Sequence, residues 1–161
     1  MIVVRQLSVS DYEGVILTLS QCVEILANLD AMHRVLVLAD AATGLRISEI
    51  LALLWSDVDK AHSCIHLTRA YVYGRFGPPK SKASKKPVPL HPLLAEALDI
   101  WGKETPYPAD DDLTFPSMRL KGRKPARASM LVADHLQPAA RKAGIKEPVA
   151  SIPYGELWRV R

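Results

Sequence analysis

An arginine at the start of a predicted helix is the residue best suited to do chemistry in this sequence. Arg46 follows Gly44, which is suited to end the apolar helix predicted over 33–42, and Glu49 stands three residues further on. A guanidinium stays charged at any relevant pH, and its planar fork can meet two phosphate oxygens at once. The alternative is a surface pair between Arg46 and Glu49, which would contribute only a few tenths of a kcal/mol.

Two stretches of the chain carry cations with no carboxylate among them, although the whole chain has only a mild excess of 21 Lys and Arg over 17 Asp and Glu. Both stretches are rich in turn-forming residues, and basic loops of this kind suit the phosphates of duplex DNA. Solvated loops also carry lysines for no such reason. The first stretch contains Arg69, Arg75, Lys80, Lys82, Lys85 and Lys86, and the second contains Arg119, Lys121, Arg123, Lys124 and Arg127.

Length and composition exclude several classes of protein. A chain of 161 residues with 48% hydrophobic residues predicts one compact domain. The two cysteines, Cys22 and Cys64, are far apart with no CxxC spacing and no Cys/His cluster, so we expect no disulfide framework, no metal site and no cofactor. The apolar start is too short for a signal peptide, and no run reaches the roughly 18 apolar residues of a membrane span. We therefore expect an intracellular protein without a membrane partner.

The elements that must position these residues are mainly helical. The sequence predicts an α+β fold with a small antiparallel sheet or hairpin. Residues 64–73 are predicted to form one strand or a bent pair, and residues 85–90 a shorter strand. An exposed hairpin tip over 74–84 between them carries the basic residues. The helices are predicted at about 19–29, 33–42, 46–54, 92–103 and 127–143.

The run from Ala42 to Asp59 resembles the first active-site box of the tyrosine recombinases, the phage integrase family, which cut and rejoin DNA. The match includes the glycine turn, the arginine and the closing residues Trp55-Ser56-Asp57-Val58-Asp59 in the same order. The resemblance implies a tyrosine-recombinase catalytic fold, double-stranded DNA as the partner, and Arg46 as the first phosphate-binding arginine.

Residues 79–90 resemble the lysine hairpin of the same family. The family pattern has two lysines one residue apart, further basic residues and a Val-Pro-Leu strand. This resemblance implies that Lys80 is the catalytic acid that protonates the departing 5′ oxygen, with Lys82 as the alternative. Contacts to the DNA backbone are then expected from Lys82, Lys85, Lys86 and Arg75.

The remainder of the family's site is not evident in the sequence. A second box of His or Lys, two residues and Arg should follow the helix that ends near Gly144, and a nucleophilic tyrosine should follow that box. The His-x-x-Arg run at 66–69 precedes the lysine hairpin and lies in a predicted strand, so we interpret it as a chance match. Tyr154 comes too soon after Gly144 and stands between two turn formers, so we do not expect it to be the nucleophile.

We therefore expect residues 17–145 to be part of a tyrosine-recombinase catalytic domain, C-terminally truncated, with an N-terminal segment over 1–16 and an atypical tail over 146–161. Such a chain should not cleave DNA alone, although other recombinase subunits could donate the missing groups. The alternatives are a non-catalytic DNA-binding remnant or regulator, and a helical interaction module in which Arg46 is structural. The resemblance also implies a cytoplasmic, nucleoid-associated protein of bacterial or phage origin.

Overall fold

Six α-helices are present in the part of the chain that this computed structural model describes, which is residues 18–79 and 86–145. The predicted segments 1–16 and 146–161, with Tyr154, lie outside the described residues. The helices are α1 (Leu19–Ala27), α2 (Ala31–Thr43), α3 (Ile47–Ile50), α4 (Pro92–Glu104), α5 (Ala128–Met130) and α6 (Gln137–Lys142).

The ends of α1 and α2 follow from residues that the sequence makes visible. The Thr18 hydroxyl accepts a hydrogen bond from the Gln21 backbone N–H, and the Gln21 side chain accepts one from the Thr18 N–H, which forms a capping box. Asp30 caps α2 by accepting from the backbone N–H of His33 at 3.1 Å. Gly44 ends α2 in the left-handed conformation, with φ of 64°. The glycine turn before Arg46 is thus confirmed.

The helix predicted over 46–54 is wrong in its length, because α3 ends at Ile50. After Ile50 the backbone tightens, and the N–H of Leu53 bonds to Ile50 O, three residues back. The Leu53 carbonyl then accepts a hydrogen bond from the Thr114 N–H at 2.9 Å, and the Leu54 N–H donates to the Asp57 carboxylate. These partners from outside the helix divert the chain into a 3₁₀ turn over Trp55–Asp57.

The strands form two small antiparallel sheets. β1 (Val58–Asp59), β2 (Cys64–Ile65) and β5 (Val88–Pro89) pair in the order β1-β2-β5, while β3 (Ala70–Val72) pairs with β4 (Arg75–Gly77). The predicted strand region over 64–73 therefore contributes to both sheets, and 66–69 connects them outside any strand. The predicted tip over 74–84 is also corrected, because the turn lies at residues 73–74 and β4 follows it at once.

The last predicted helix, over 127–143, is interrupted. A π-helical segment over Leu131–Leu136 separates α5 from α6, and the Gln137 N–H bonds to Val132 O, five residues back. Pro138 follows directly. Because proline lacks an N–H and its ring crowds the preceding turn, it disfavours regular α-helical bonding there. The segment ends at Gly144, in the left-handed conformation, as predicted.

One apolar core joins the helices and the three-stranded sheet. Helices α2 and α4 pack together, and the fully buried side chains include Ile25, Leu36, Ile50, Ile65 and Phe115. The predicted α+β class, mainly helical with small antiparallel sheets, is confirmed. None of the described helices has both the length and the apolar character needed to cross a bilayer.

Candidate functional site

Arg46 lies at the N-cap position of α3, with extended backbone angles (φ −68°, ψ 143°). Its side chain is 60% exposed. Its nearest acidic partner in the described part of the chain is Glu49, whose Oε1 lies 3.7 Å from Arg46 Nη1. This separation is longer than a hydrogen bond, so the guanidinium keeps donors for another anion.

Glu49 is buried beneath this arginine, with its side chain only 4% exposed. Its Oε2 accepts a hydrogen bond from the Arg46 backbone N–H at 3.0 Å, which satisfies a donor at the start of α3. Its Oε1 has no hydrogen-bond partner among the described residues. The carboxylate therefore holds the Arg46 backbone and leaves one oxygen facing the guanidinium.

Both interpretations of Arg46 from the sequence describe part of this geometry. The predicted pair with Glu49 exists, yet it does not withdraw the arginine from solvent. A buried anion next to an exposed cation orients the cation without neutralising all of its donors. The arrangement is chemically able to bind a phosphate or another oxyanion at the protein surface.

The short helix α3 contacts β3, so the arginine lies on an element packed against the β3–β4 hairpin. Arg75 begins β4 and is exposed, and Lys86 is exposed at the approach to β5. Lys80, Lys82 and Lys85 lie outside the described residues, so their predicted roles stay predictions.

Arg69 does not belong with the free basic residues of its stretch. Its Nη1 lies 3.4 Å from Oδ2 of Asp57, and the Asp57 side chain is 6% exposed. Asp57 Oδ1 also accepts from the Thr68 hydroxyl at 3.3 Å. Arg69 is thus paired with a buried carboxylate.

The second basic stretch forms one exposed loop. Pro116 pairs with Pro125 in an antiparallel bridge, and the Ser117 N–H donates to Lys124 O at 2.8 Å, so the loop closes on itself. Acidic residues lie next to this loop, because Arg123 lines a pocket together with Asp111 and Asp112. All five cations of the stretch are exposed, namely Arg119, Lys121, Arg123, Lys124 and Arg127.

A cluster of Asp30, His33 and His135 was not foreseen from the sequence. The two imidazole rings stack with centroids 3.4 Å apart, and their Nδ1 atoms lie 2.7 and 3.2 Å from Asp30 Oδ2. Burial lowers the pKa of His33, an effect that the Asp30 carboxylate partly opposes. His135 is 102 residues away from His33 in sequence, so no local spacing could reveal this contact.

Comparison with solved structures places the fold among recombinases. The chain is similar to the XerA recombinase (TM-score 0.60, 20% identity), covering 86% of this chain and 45% of that one. It is also similar to the Tn1549 transposon integrase in complex with circular intermediate DNA (TM-score 0.67, 20% identity), covering 91% and 52%. A Tn1549 integrase complex with transposon right end DNA gives a TM-score of 0.59 at 22% identity, covering 80% and 47%.

The chain thus spans about half the length of these recombinases. No curated protein matches it in sequence. The family model described as the phage integrase family matches residues 15–151, which includes the Arg46 box and the whole of both sheets. The resemblance stated from the Arg46 box and the lysine hairpin is therefore confirmed, and the chain belongs to the phage integrase family of tyrosine recombinases.

Proposed function

We propose that this chain acts in site-specific DNA recombination by binding duplex DNA and holding one backbone phosphate with Arg46. The observation that carries the proposal is the geometry of Arg46, which is exposed for 60% of its side chain while a buried Glu49 fixes its backbone. The similar Tn1549 integrase structures are complexes with transposon right end DNA and with circular intermediate DNA, which supports DNA as the partner class.

The proposed chemistry is transesterification at a phosphodiester. A pentavalent phosphate carries extra negative charge, and an arginine fork placed on two of its oxygens stabilises that charge. A departing 5′ oxygen needs a proton, and Lys80 is the proposed donor, with Lys82 as the alternative. Arg75, Lys82, Lys85 and Lys86 would contact neighbouring phosphates.

We further propose that these 161 residues do not cleave DNA by themselves. The His-x-x-Arg pattern occurs once in them, at 66–69, where Arg69 is already paired with the buried Asp57, and the Lys-x-x-Arg form occurs at 124–127, before the helix that ends near Gly144. Without a second arginine and an attacking tyrosine, the covalent step has no route within this chain. Another recombinase subunit could supply these groups in trans.

The first experiment measures duplex binding as a function of salt concentration. Each phosphate contact releases condensed counterions, so affinity should fall steeply between 50 and 200 mM salt, with a slope of about −0.9 per contact. Binding that is absent, or that does not change with salt, would favour the helical interaction module instead.

The second experiment uses a nicked suicide substrate that traps any covalent protein–DNA adduct. We expect the chain to bind the substrate without forming an adduct. An adduct that disappears in Tyr154→Phe would overturn the proposal of inactivity and would identify Tyr154 as a nucleophile.

Binding without an adduct is also what a non-catalytic DNA-binding regulator would show. The two are separated by adding a full-length recombinase of the family whose own first phosphate-binding arginine is replaced by alanine, and measuring whether this chain restores strand exchange.

A further inference from the structure

The turn between β1 and β2 brings together three side chains that could bind a metal ion: Asp59, Cys64 and His66. Cysteine spacing alone does not reveal this group, because the group contains a single cysteine. The signal that could have found it is the run from His62 to His66, because Cys64 and His66 are two residues apart in a predicted strand and should lie on the same side of it.

The strand pairing explains why these three residues meet. Asp59 and Cys64 are directly opposite each other in the β1–β2 register. The His66 N–H donates to Asp57 O at 2.8 Å, so the pairing continues past the end of β2 and keeps the His66 side chain beside that of Cys64.

Two of the three separations match those of ligands around one tetrahedral zinc ion, and all three ligand atoms lie within 4.8 Å of one another. With Zn–S near 2.3 Å and Zn–N and Zn–O near 2.0–2.2 Å, neighbouring S and N ligands should lie about 3.5 Å apart, and N and O ligands about 3.4 Å apart. In the structure, Cys64 Sγ lies 3.5 Å from His66 Nε2, and His66 Nε2 lies 3.6 Å from Asp59 Oδ2.

The carboxylate is also oriented by a second group. The backbone N–H of His62 donates to Asp59 Oδ1 at 3.0 Å, and His62 Nδ1 lies 2.7 Å from Asp59 Oδ2. Metal-bound carboxylates are commonly fixed by such outer hydrogen bonds. The side chains of Asp59 and His66 are 28% and 46% exposed, so an ion can enter from solvent.

We propose that Asp59, Cys64 and His66 form a zinc-binding site whose fourth position is taken by water. A thiolate with an imidazole and a carboxylate suits Zn²⁺ and does not suit Mg²⁺ or Ca²⁺, which prefer oxygen ligands alone. The Cys64 thiol loses its proton to the buffer on binding. The ion would link β1 to β2 across the Asp59–Cys64 pair. This inference is independent of the proposed DNA binding.

The Asp30, His33 and His135 cluster is a weaker candidate for a metal. Its stacked rings are only 19° from parallel, so their Nδ1 lone pairs point side by side and do not converge on one ion. This cluster serves as the internal control.

The test titrates the reduced, chelator-treated full chain with Co²⁺ and then with Zn²⁺. We expect one equivalent of Co²⁺ with a thiolate-to-cobalt charge-transfer band, which Zn²⁺ displaces, and zinc should raise the melting temperature. Cys64→Ser should remove the band. Cys64→Ser and His66→Gln each remove a ligand, so each should weaken zinc binding by at least the roughly 10- to 100-fold that loss of an outer-shell partner costs.

Two control variants assign the site. Cys22→Ser removes the other, buried cysteine, and His135→Gln disrupts the second cluster; neither should change the band or the zinc affinity. The absence of a thiolate band, or zinc binding that survives Cys64→Ser and His66→Gln, would overturn the proposal. Should Cys64→Ser fail to fold, His66→Gln and Asp59→Asn decide the question by the same measurement.

Discussion

The buried carboxylate of Glu49 accepts a hydrogen bond from the Arg46 backbone N–H at 3.0 Å, while its second oxygen lies 3.7 Å from the guanidinium of the same arginine. The Glu49 side chain thus fixes the start of α3 and also the backbone of Arg46, the candidate phosphate-binding residue. The pairing explains how an exposed arginine can be held in place without being neutralised by its neighbour.

Replacing Glu49 separates these two effects. Glu49→Gln keeps an oxygen that can accept from the Arg46 N–H but removes the charge, so we expect a loss of stability of about 1 kcal/mol or less. Glu49→Ala removes both and leaves a cavity, so it should cost about 2 kcal/mol or more. Chemical unfolding of the three proteins measures the difference. Equal stability of the two variants would contradict the capping role.

The His33–His135 stack predicts that stability falls with acidity. Burial keeps the pKa of His33 below that of the unfolded chain, so the unfolded state binds more protons once the pH drops below about 6.5. Stability from the neutral form is present above that pH and lost as the pH falls through the lowered pKa. Unfolding free energies at pH 8, 6 and 5 should show a steeper loss in the native sequence than in His33→Gln. Identical pH dependence in both proteins would refute this interpretation.

Asp40 predicts the opposite pH dependence. Burial in α2 raises the pKa of its carboxyl to about 6. The folded state therefore holds its proton more tightly than the unfolded state, and stability is lost as the pH rises from about 4 to 6. Asp40→Asn should gain stability relative to the native protein over this range, by up to about 3 kcal/mol at pH 7. A gain that stays constant from pH 4 to pH 7 would show that the carboxyl is not perturbed.

Replacing two glycines by alanine should change the stability of the protein in opposite directions. Gly122 has φ of 74°, and a Cβ there would lie 2.9 Å from the Tyr107 ring, so Gly122→Ala should destabilise by about 2–4 kcal/mol. Gly102 lies within α4, and its Cβ would make ordinary contact with the Trp55 ring at 3.5 Å. Gly102→Ala should therefore stabilise the protein, by up to about 1 kcal/mol. Thermal unfolding of both variants tests the pair, and a shift of the same sign in both would contradict it.

Local signals predicted the first half of the fold well. The Thr18 capping box and the Gly44 turn depend on residues within four positions of each other, so the sequence alone located α1, the end of α2 and Arg46. The shortening of α3 could not be predicted from such local signals, because the Leu53 carbonyl accepts a hydrogen bond from Thr114, which is 61 positions later in the chain.

The same distinction applies to the candidate sites. Arg46 was predictable because its neighbours in sequence are its neighbours in space. Arg69 looked free in sequence, yet it is paired with Asp57, 12 positions earlier, through the turn that joins the two sheets. The pairing of Asp59 with Cys64 likewise depends on the register of two strands, which the spacing of cysteines in the sequence does not reveal.

The most direct test of the central claim compares the salt dependence of duplex binding in the native chain and in Arg46→Ala. The matched control is Arg141→Ala, an exposed arginine on α6 outside both basic stretches. We predict that Arg46→Ala weakens binding and reduces the slope of log K against log salt by about 0.9, while Arg141→Ala changes neither. An unchanged affinity and slope in Arg46→Ala would contradict the claim that this arginine holds a DNA phosphate.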